Sequence, residues 1–260
     1  MKRYDAIKAV TEEIQKGGLA ESLFLKGSIA RGEDDEYSDV DLYVVVDEEN
    51  FEAFLAKRID YLEKYKPLIN WVEVNFVGPQ IVGIFEDALH FDLYTVKPDA
   101  IPQTGVMKVI KDAKGLLKDY QEEPLRLTDE QLDKIISEFI YMFIEIEATY
   151  GRGDLLRCVT LFHMNYSHLG LLTRYVYDER SSLLGNKSMY KVIPEDIHEQ
   201  HLEMLEHATP THILTATKMM LQQFETIMEQ LPEDVQSNMN ASYYELLKSR
   251  IYEINGKEYL

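Results

Sequence analysis

Gly27-Ser28-Ile29-Ala30-Arg31-Gly32 is followed, five residues later, by Ser38-Asp39-Val40-Asp41-Leu42-Tyr43-Val44-Val45-Val46. The second stretch is β-branched and too short for a helix, so it reads as a buried strand. Gly27-Ser28 lies where the apolar run Ser22–Lys26 ends and a helix is expected to begin, near Ile29. Backbone N–H groups at such a turn, with a small hydroxyl, suit a triphosphate. Glycine lets a phosphate come close to the backbone. Asp39 and Asp41 are two apart on the expected strand, which sends both carboxylates to one side. Two like charges there are costly unless a divalent cation neutralises them, and hard oxygen ligands favour Mg²⁺ or Mn²⁺. A third carboxylate, Asp92, sits inside another apolar run, His90-Phe91-Asp92-Leu93-Tyr94. An unpaired charge in a buried strand is strongly unfavourable, so stability alone does not account for it. If the two strands are neighbours, the three carboxylates converge.

Outward from this core, residues 3–16 show helical apolar spacing (Ile7, Val10, Ile14) and stop at Gly17-Gly18. Residues 50–65 read as a helix that ends before Pro67. Trp71–Val77 alternates strictly, and His90–Val96 is a further strand, with Val77-Gly78-Pro79 as the break between them. This pattern predicts a small mixed sheet backed by helices on one side. After residue 127 the period changes. Thr128 with Gln131 forms a capping box, and Leu132, Ile135, Ile136, Phe139, Ile140 and Phe143 repeat at three and four. A second long helix is expected from Asp154 to Tyr177, and Pro194, Pro210 and Pro232 stand where others would begin. The fold class is therefore α+β: an N-terminal domain over residues 1–115 and an all-helical bundle over 116–260.

The chain has 260 residues and a net charge of −19, from 46 acidic and 27 basic residues. The excess is even: residues 1–128 hold 16 Lys+Arg and 25 Asp+Glu, or −9, which leaves −10 for the rest. Such a surface repels a phosphate backbone, which argues against a nucleic-acid polymer as partner; it either serves solubility alone or attracts a cationic small molecule. No apolar run approaches the roughly 20 residues of a membrane span, and the first residues carry no signal-peptide core. A single cysteine, Cys158, forms no internal disulfide. A cytoplasmic setting is the expectation.

GSIARG with SDVDL resembles the signature of the DNA polymerase beta nucleotidyltransferase superfamily: Gly-Ser, a short spacer, then Asp-x-Asp. The GSxARG form resembles the bacterial antibiotic nucleotidyltransferases. Chain length, a helical C-terminal half and Arg152-Gly153-Asp154 entering a helix are similar to the lincosamide enzymes and, more distantly, the aminoglycoside ones. The resemblance implies an enzyme that moves a nucleoside monophosphate from a nucleoside triphosphate, ATP first, onto an acceptor hydroxyl. Asp39, Asp41 and Asp92 are then the metal ligands for two Mg²⁺ ions, and Asp92 is the general base. Gly27 and Ser28 are expected to hold the leaving phosphates, in a cleft between the two domains. The lincosamide pattern has a glutamate ahead of a His-Phe pair; Ala88 stands there in this chain, which leaves Asp92 or Glu86 for the base. The implied acceptor is a hydroxylated small molecule such as an aminoglycoside or a lincosamide. A protein hydroxyl as acceptor, and a non-catalytic nucleotide-binding regulatory module, are the alternatives.

Other residues divide between roles. Arg157, beside Arg152 at the start of the second long helix, and Lys187, near Lys191, are candidates for the triphosphate or for local charge balance. Arg31 either reaches a phosphate or pairs with Glu33-Asp34-Asp35-Glu36, the reading preferred here. His90 shares a face with Asp92. His163 and His168, five apart, do not share a helical face and make a poor metal pair. Glu138, Tyr141 and Glu145 form either a solvated face or an acidic wall for a cation. The apolar, aromatic helical half offers a homodimer interface.

Overall fold

The computed structural model describes residues 2–254. The chain divides between Glu123 and Pro124 into two compact units.

In the first unit, α1 (Lys2–Gly17) turns its Ala6, Ile7, Val10 and Ile14 stripe inward. It ends at Gly18, whose φ of +67° is a left-handed helix stop. Next come β1 (Ser22–Leu25), the short α2 (Gly27–Arg31), β2 (Val40–Val45), α3 (Phe51–Leu55) and α4 (Arg58–Leu62). Then follow β3 (Leu68–Asn75), β4 (Pro79–Phe85), β5 (His90–Val96) and β6 (Lys108–Asp112). The helix expected over 50–65 is broken in two. Arg58 is buried and its Nε donates to Leu55 O at 3.1 Å, taking a carbonyl that a continuous helix would use itself. The sheet has six strands in the order β3-β4-β5-β2-β1-β6. Pairs are antiparallel except for β2 and β5, which run parallel. β4 and β6 were not expected from the sequence: Pro79 and Gly83 mask β4 as a turn, and β6 (KVIKD) is short and charged.

Alternation of side chains gives the sheet two different faces. One packs Leu23, Leu25, Leu42, Val44, Phe91 and Leu93 against α1, α3 and α4. The other stacks Phe24, Tyr43 and Tyr94, with Val45, Val96 and Leu117 around them.

The second unit is helical: α5 (Asp129–Gly151), α6 (Leu155–Tyr177), α7 (Glu195–Glu206), α8 (Ile213–Met228), α9 (Glu233–Asn238) and α10 (Ala241–Glu253). The capping box forms at Thr128 and Gln131, and the Asp154 side chain caps α6. Phe139, Phe143, Phe162, Leu169, Leu172 and Phe224 lie in its core. Among the described residues, no helix is long and apolar enough to cross a membrane.

Candidate active site

Three strand ends meet on the aromatic face of the sheet. β2 and β5 run parallel with Asp41 level with Asp92, and paired strands lie about 4.8 Å apart. Tyr43 and Tyr94 follow two residues later on the same side and stack at 4.1 Å between centroids. β1 arrives from the opposite direction. Its end is tied to β2 by Lys26 N donating to Asp41 O at 3.1 Å. The chain then turns at Gly27, with φ +65°, into α2. A Cβ on Gly27 would stand 1.9 Å from Asp41 Oδ2, so the carboxylate occupies the space that any other residue would fill. Glycine is required twice at this position, by its φ and by that close approach. Gly27, Ser28, Asp41 and Asp92 are thus gathered by backbone register.

Asp39 arrives differently. The sequence suggested a place on the strand, but β2 begins one residue later, at Val40. Asp39 reaches the group through His90, whose Nδ1 lies 4.0 Å from Asp39 Oδ2. His90 Nε2 lies 2.9 Å from Asp92 Oδ1. That contact is close without hydrogen-bond alignment, so each of the two buried atoms lacks an aligned partner. Asp92 is 8% exposed. Burial raises its carboxyl above the usual range; His90 and Gln80 oppose the shift, and Asp39 adds to it.

Two further residues of this face were not singled out from the sequence. Lys26 is buried, and its Nζ donates to Thr104 O at 2.7 Å and to Tyr120 Oη at 3.1 Å. Burial lowers its amine to about 8, against the pull of Glu122. Gln80, buried on β4, pairs in register with Tyr94. The one local signal for Lys26 is a cation closing an apolar run directly before a glycine. Gln80 had none, because its strand was hidden.

The donor set suits a hard cation: three carboxylates, one with a buried oxygen that has no aligned partner, beside a glycine cradle. Among the described residues, no three His, Cys, Asp or Glu side chains already surround a common point. His90 is the side chain that stands between Asp39 and Asp92.

The remaining candidates belong to other elements. Arg31 pairs with Glu33 at 2.8 Å. Glu86 is exposed on the β4–β5 hairpin, where Ala88 has φ +59°. Arg157 is exposed on the first turn of α6, in the second unit. Lys187 is exposed in the same unit, and its carbonyl is held at 2.7 Å by the buried Arg174 guanidinium. Glu138, Tyr141 and Glu145 are exposed on α5. His168 turns to Asn165, at 3.4 Å, and Glu138, at 3.8 Å.

Residues 7–98 match the family model described as nucleotidyltransferase domain. This span contains α1 to β5, with Gly27, Ser28 and all three carboxylates. No curated protein matches the chain. Among solved structures, an aminoglycoside 6-adenyltransferase from Bacillus subtilis is similar at 13% identity and a TM-score of 0.37, covering 97% of this chain and 98% of that one. A spectinomycin adenyltransferase AAD(9) from Enterococcus faecialis, solved with ATP and spectinomycin, is similar at 13% identity and a TM-score of 0.35, covering 96% and 99%. The family match spans the strands and the turn that carry the three carboxylates: residues 7–98 are similar to a nucleotidyltransferase domain.

Proposed function

We propose that this enzyme is metal-dependent and moves a nucleoside monophosphate from a nucleoside triphosphate, ATP first, onto a hydroxyl of a small molecule. An aminoglycoside or lincosamide antibiotic is the acceptor class, modified in the cytoplasm. The observation that carries the reading is the β2–β5 register, which levels Asp41 with Asp92 while Gly27 lies against the Asp41 carboxylate. Residues 1–115 are the catalytic part in this reading, and 116–260 the acceptor-binding part.

Asp39, Asp41 and Asp92 are the side chains that would hold two Mg²⁺ ions. Bound there, the ions would neutralise the triphosphate and favour ionisation of the acceptor hydroxyl. Asp92 takes the hydroxyl proton. Its raised proton affinity supports that role, since a base works best when its pKa approaches the working pH. The new bond joins the acceptor oxygen to the α-phosphorus while the bond to pyrophosphate breaks. The Ser28 hydroxyl and the amides of Gly27 and Ser28 hold the departing phosphates. Arg157 and Lys187 add positive charge for them in this scheme. His90, with Nε2 2.9 Å from Asp92 Oδ1, is the side chain beside that carboxylate. Positioning and charge neutralisation supply most of the rate, as is general for phosphoryl transfer.

The test is pyrophosphate release from ATP, GTP, CTP and UTP with Mg²⁺, across aminoglycosides and lincosamides, beside Asp39→Asn, Asp41→Asn and Asp92→Asn. Release that requires an acceptor and disappears in all three variants establishes the chemistry. Nucleotide binding with silence across the panel sinks the antibiotic reading, and a mass increase on a protein in its place redirects it. Failure to bind any nucleotide overturns the proposal.

A further inference from the structure

The sheet ends in two edges, and they are built differently. At one, β6 is five residues long and carries Lys108, Lys111 and Asp112. Short, lysine-bearing edges are a common block to strand association. At the other, β3 runs for eight residues with Glu73 as its sole charge. That carboxylate is already paired with the Arg58 guanidinium. Among the described residues β3 is bordered by β4 on one side and by no strand on the other, which leaves a row of backbone groups facing outward.

The side chains repeat the message. An ordinary edge strand buries one face and wets the other. β3 exposes apolar groups on both: Trp71 at 46% on one and Val72 at 49% on the other, with Ile69, 66% exposed, at the register shift before them. Phe76, 81% exposed, and Val77 extend the patch to the hairpin turn. Contiguous apolar exposure of this kind marks an interaction surface.

We propose that β3 is the interface of a homodimer, pairing antiparallel with β3 of a second copy so that the two sheets become continuous. Charge argues for a second copy as the occupant. Each chain carries −19, so two copies repel over most of their surfaces. Residues 68–85, which hold β3 and β4, contain Glu73 as their one charged side chain, and it is paired with Arg58. Self-association is therefore least opposed where the unpaired edge lies. Symmetry argues the same way. A twofold axis normal to the sheet at mid-strand makes every backbone and apolar contact twice, and lays Trp71 or Val72 opposite its own counterpart. The inference does not rest on the catalytic reading and would stand without it.

The experiment is light scattering on the full chain, from micromolar to sub-millimolar concentration. Wild type is expected to reach twice the mass of one chain. Ile69→Lys/Val72→Lys should stay at the mass of one chain with an unchanged circular dichroism spectrum and thermal midpoint. Val109→Lys, on exposed β6, should dimerise as wild type does. In a Cys158→Ala background, Trp71→Cys or Val72→Cys should cross-link as a dimer under mild oxidation. A wild type that stays monomeric throughout, or a dimer that survives both lysines, overturns the proposal. So does failure of both cysteine variants to cross-link.

Discussion

Gly27→Ala tests the geometry of the carboxylate site at one atom. The added Cβ would stand 1.9 Å from Asp41 Oδ2, and real Cβ contacts essentially never fall below 3.0 Å. The carboxylate must therefore retreat by about 1 Å (3.0 − 1.9), and a misplacement of that size costs roughly 10²-fold in rate. The backbone adds its own term. Holding alanine at φ +65° costs roughly 1–2 kcal/mol. For a chain of this length, that lowers the melting temperature by about 2–8 °C. Gly18→Ala separates the two effects. Its φ is +67°, yet an added Cβ there meets nothing within 4 Å. Both variants should lose similar thermal stability, while only Gly27→Ala loses transfer rate and weakens metal–nucleotide binding by calorimetry. Equal losses of rate in the two, or a wild-type rate in Gly27→Ala, would refute the claim that Asp41 works from this contact.

Three other perturbations have defined outcomes. Asp92→Asn should raise the melting temperature while abolishing transfer, because burial already disfavours the charged carboxyl; a destabilised variant would contradict this. His201 is 1% exposed, with Nδ1 3.1 Å from Tyr166 Oη and Nε2 3.3 Å from Thr173 Oγ1, and burial lowers its pKa from 6.5 to about 4. The folded state resists protonation while the unfolded chain accepts it, so this stabilisation is complete above pH 6.5 and declines by about 1.4 kcal/mol per pH unit down to about 4. Urea titrations of His201→Gln should show a shallower acid decline than wild type, and parallel profiles would exclude the effect. Arg174→Met should cost roughly 1–3 kcal/mol by leaving the Lys187 carbonyl without its donor. Faster amide exchange across residues 185–191 should accompany that loss, and unchanged exchange there would show that Arg174 does not hold the loop.

The legible parts of this sequence were those decided locally. The capping box at Thr128, the long stripes of α5 and α6, and the β-branched run of β2 each follow from spacing within one element. Asp39, Asp41 and Asp92 stood out because a carboxylate in an apolar strand needs a reason. The levelling of Asp41 with Asp92 was not legible, because it depends on which strands pair. β5 reaches β2 on one side and β4 on the other, and β4 hid behind Pro79 and Gly83. Without β4 the sequence hid the sheet's width, Gln80's place in it and the identity of its edge. Lys26 escaped for a related reason: its partners, Thr104 and Tyr120, come from a segment that no periodicity describes. The break in the 50–65 helix was set by Arg58 turning back to Leu55 O, a tertiary choice that helical spacing does not encode.

The same face of the sheet also explains how the chain tolerates carboxylates on two adjacent strands. β2 carries Asp41, Tyr43 and Val45 on one side, and β5 carries Asp92, Tyr94 and Val96 level with them. Charge is confined to one end of each strand and apolar bulk to the other. Two carboxylates on neighbouring strands would repel by at most roughly 3 kcal/mol at an effective dielectric of about 20, were both charged and as close as the strands themselves. Burial lets Asp92 escape part of that by holding its proton more tightly. The rest must be offset by contacts that exist only in this register. Phe24, Tyr43 and Tyr94 form such contacts, stacked in sequence at 5.0 and 4.1 Å. A slip of β5 by one residue would turn Tyr94 away from Tyr43 and carry Asp92 to the opposite face, into the core against α1, α3 and α4. The aromatic half of the strand pair therefore does more than fill space, because it fixes the spacing of the carboxylates against their own repulsion.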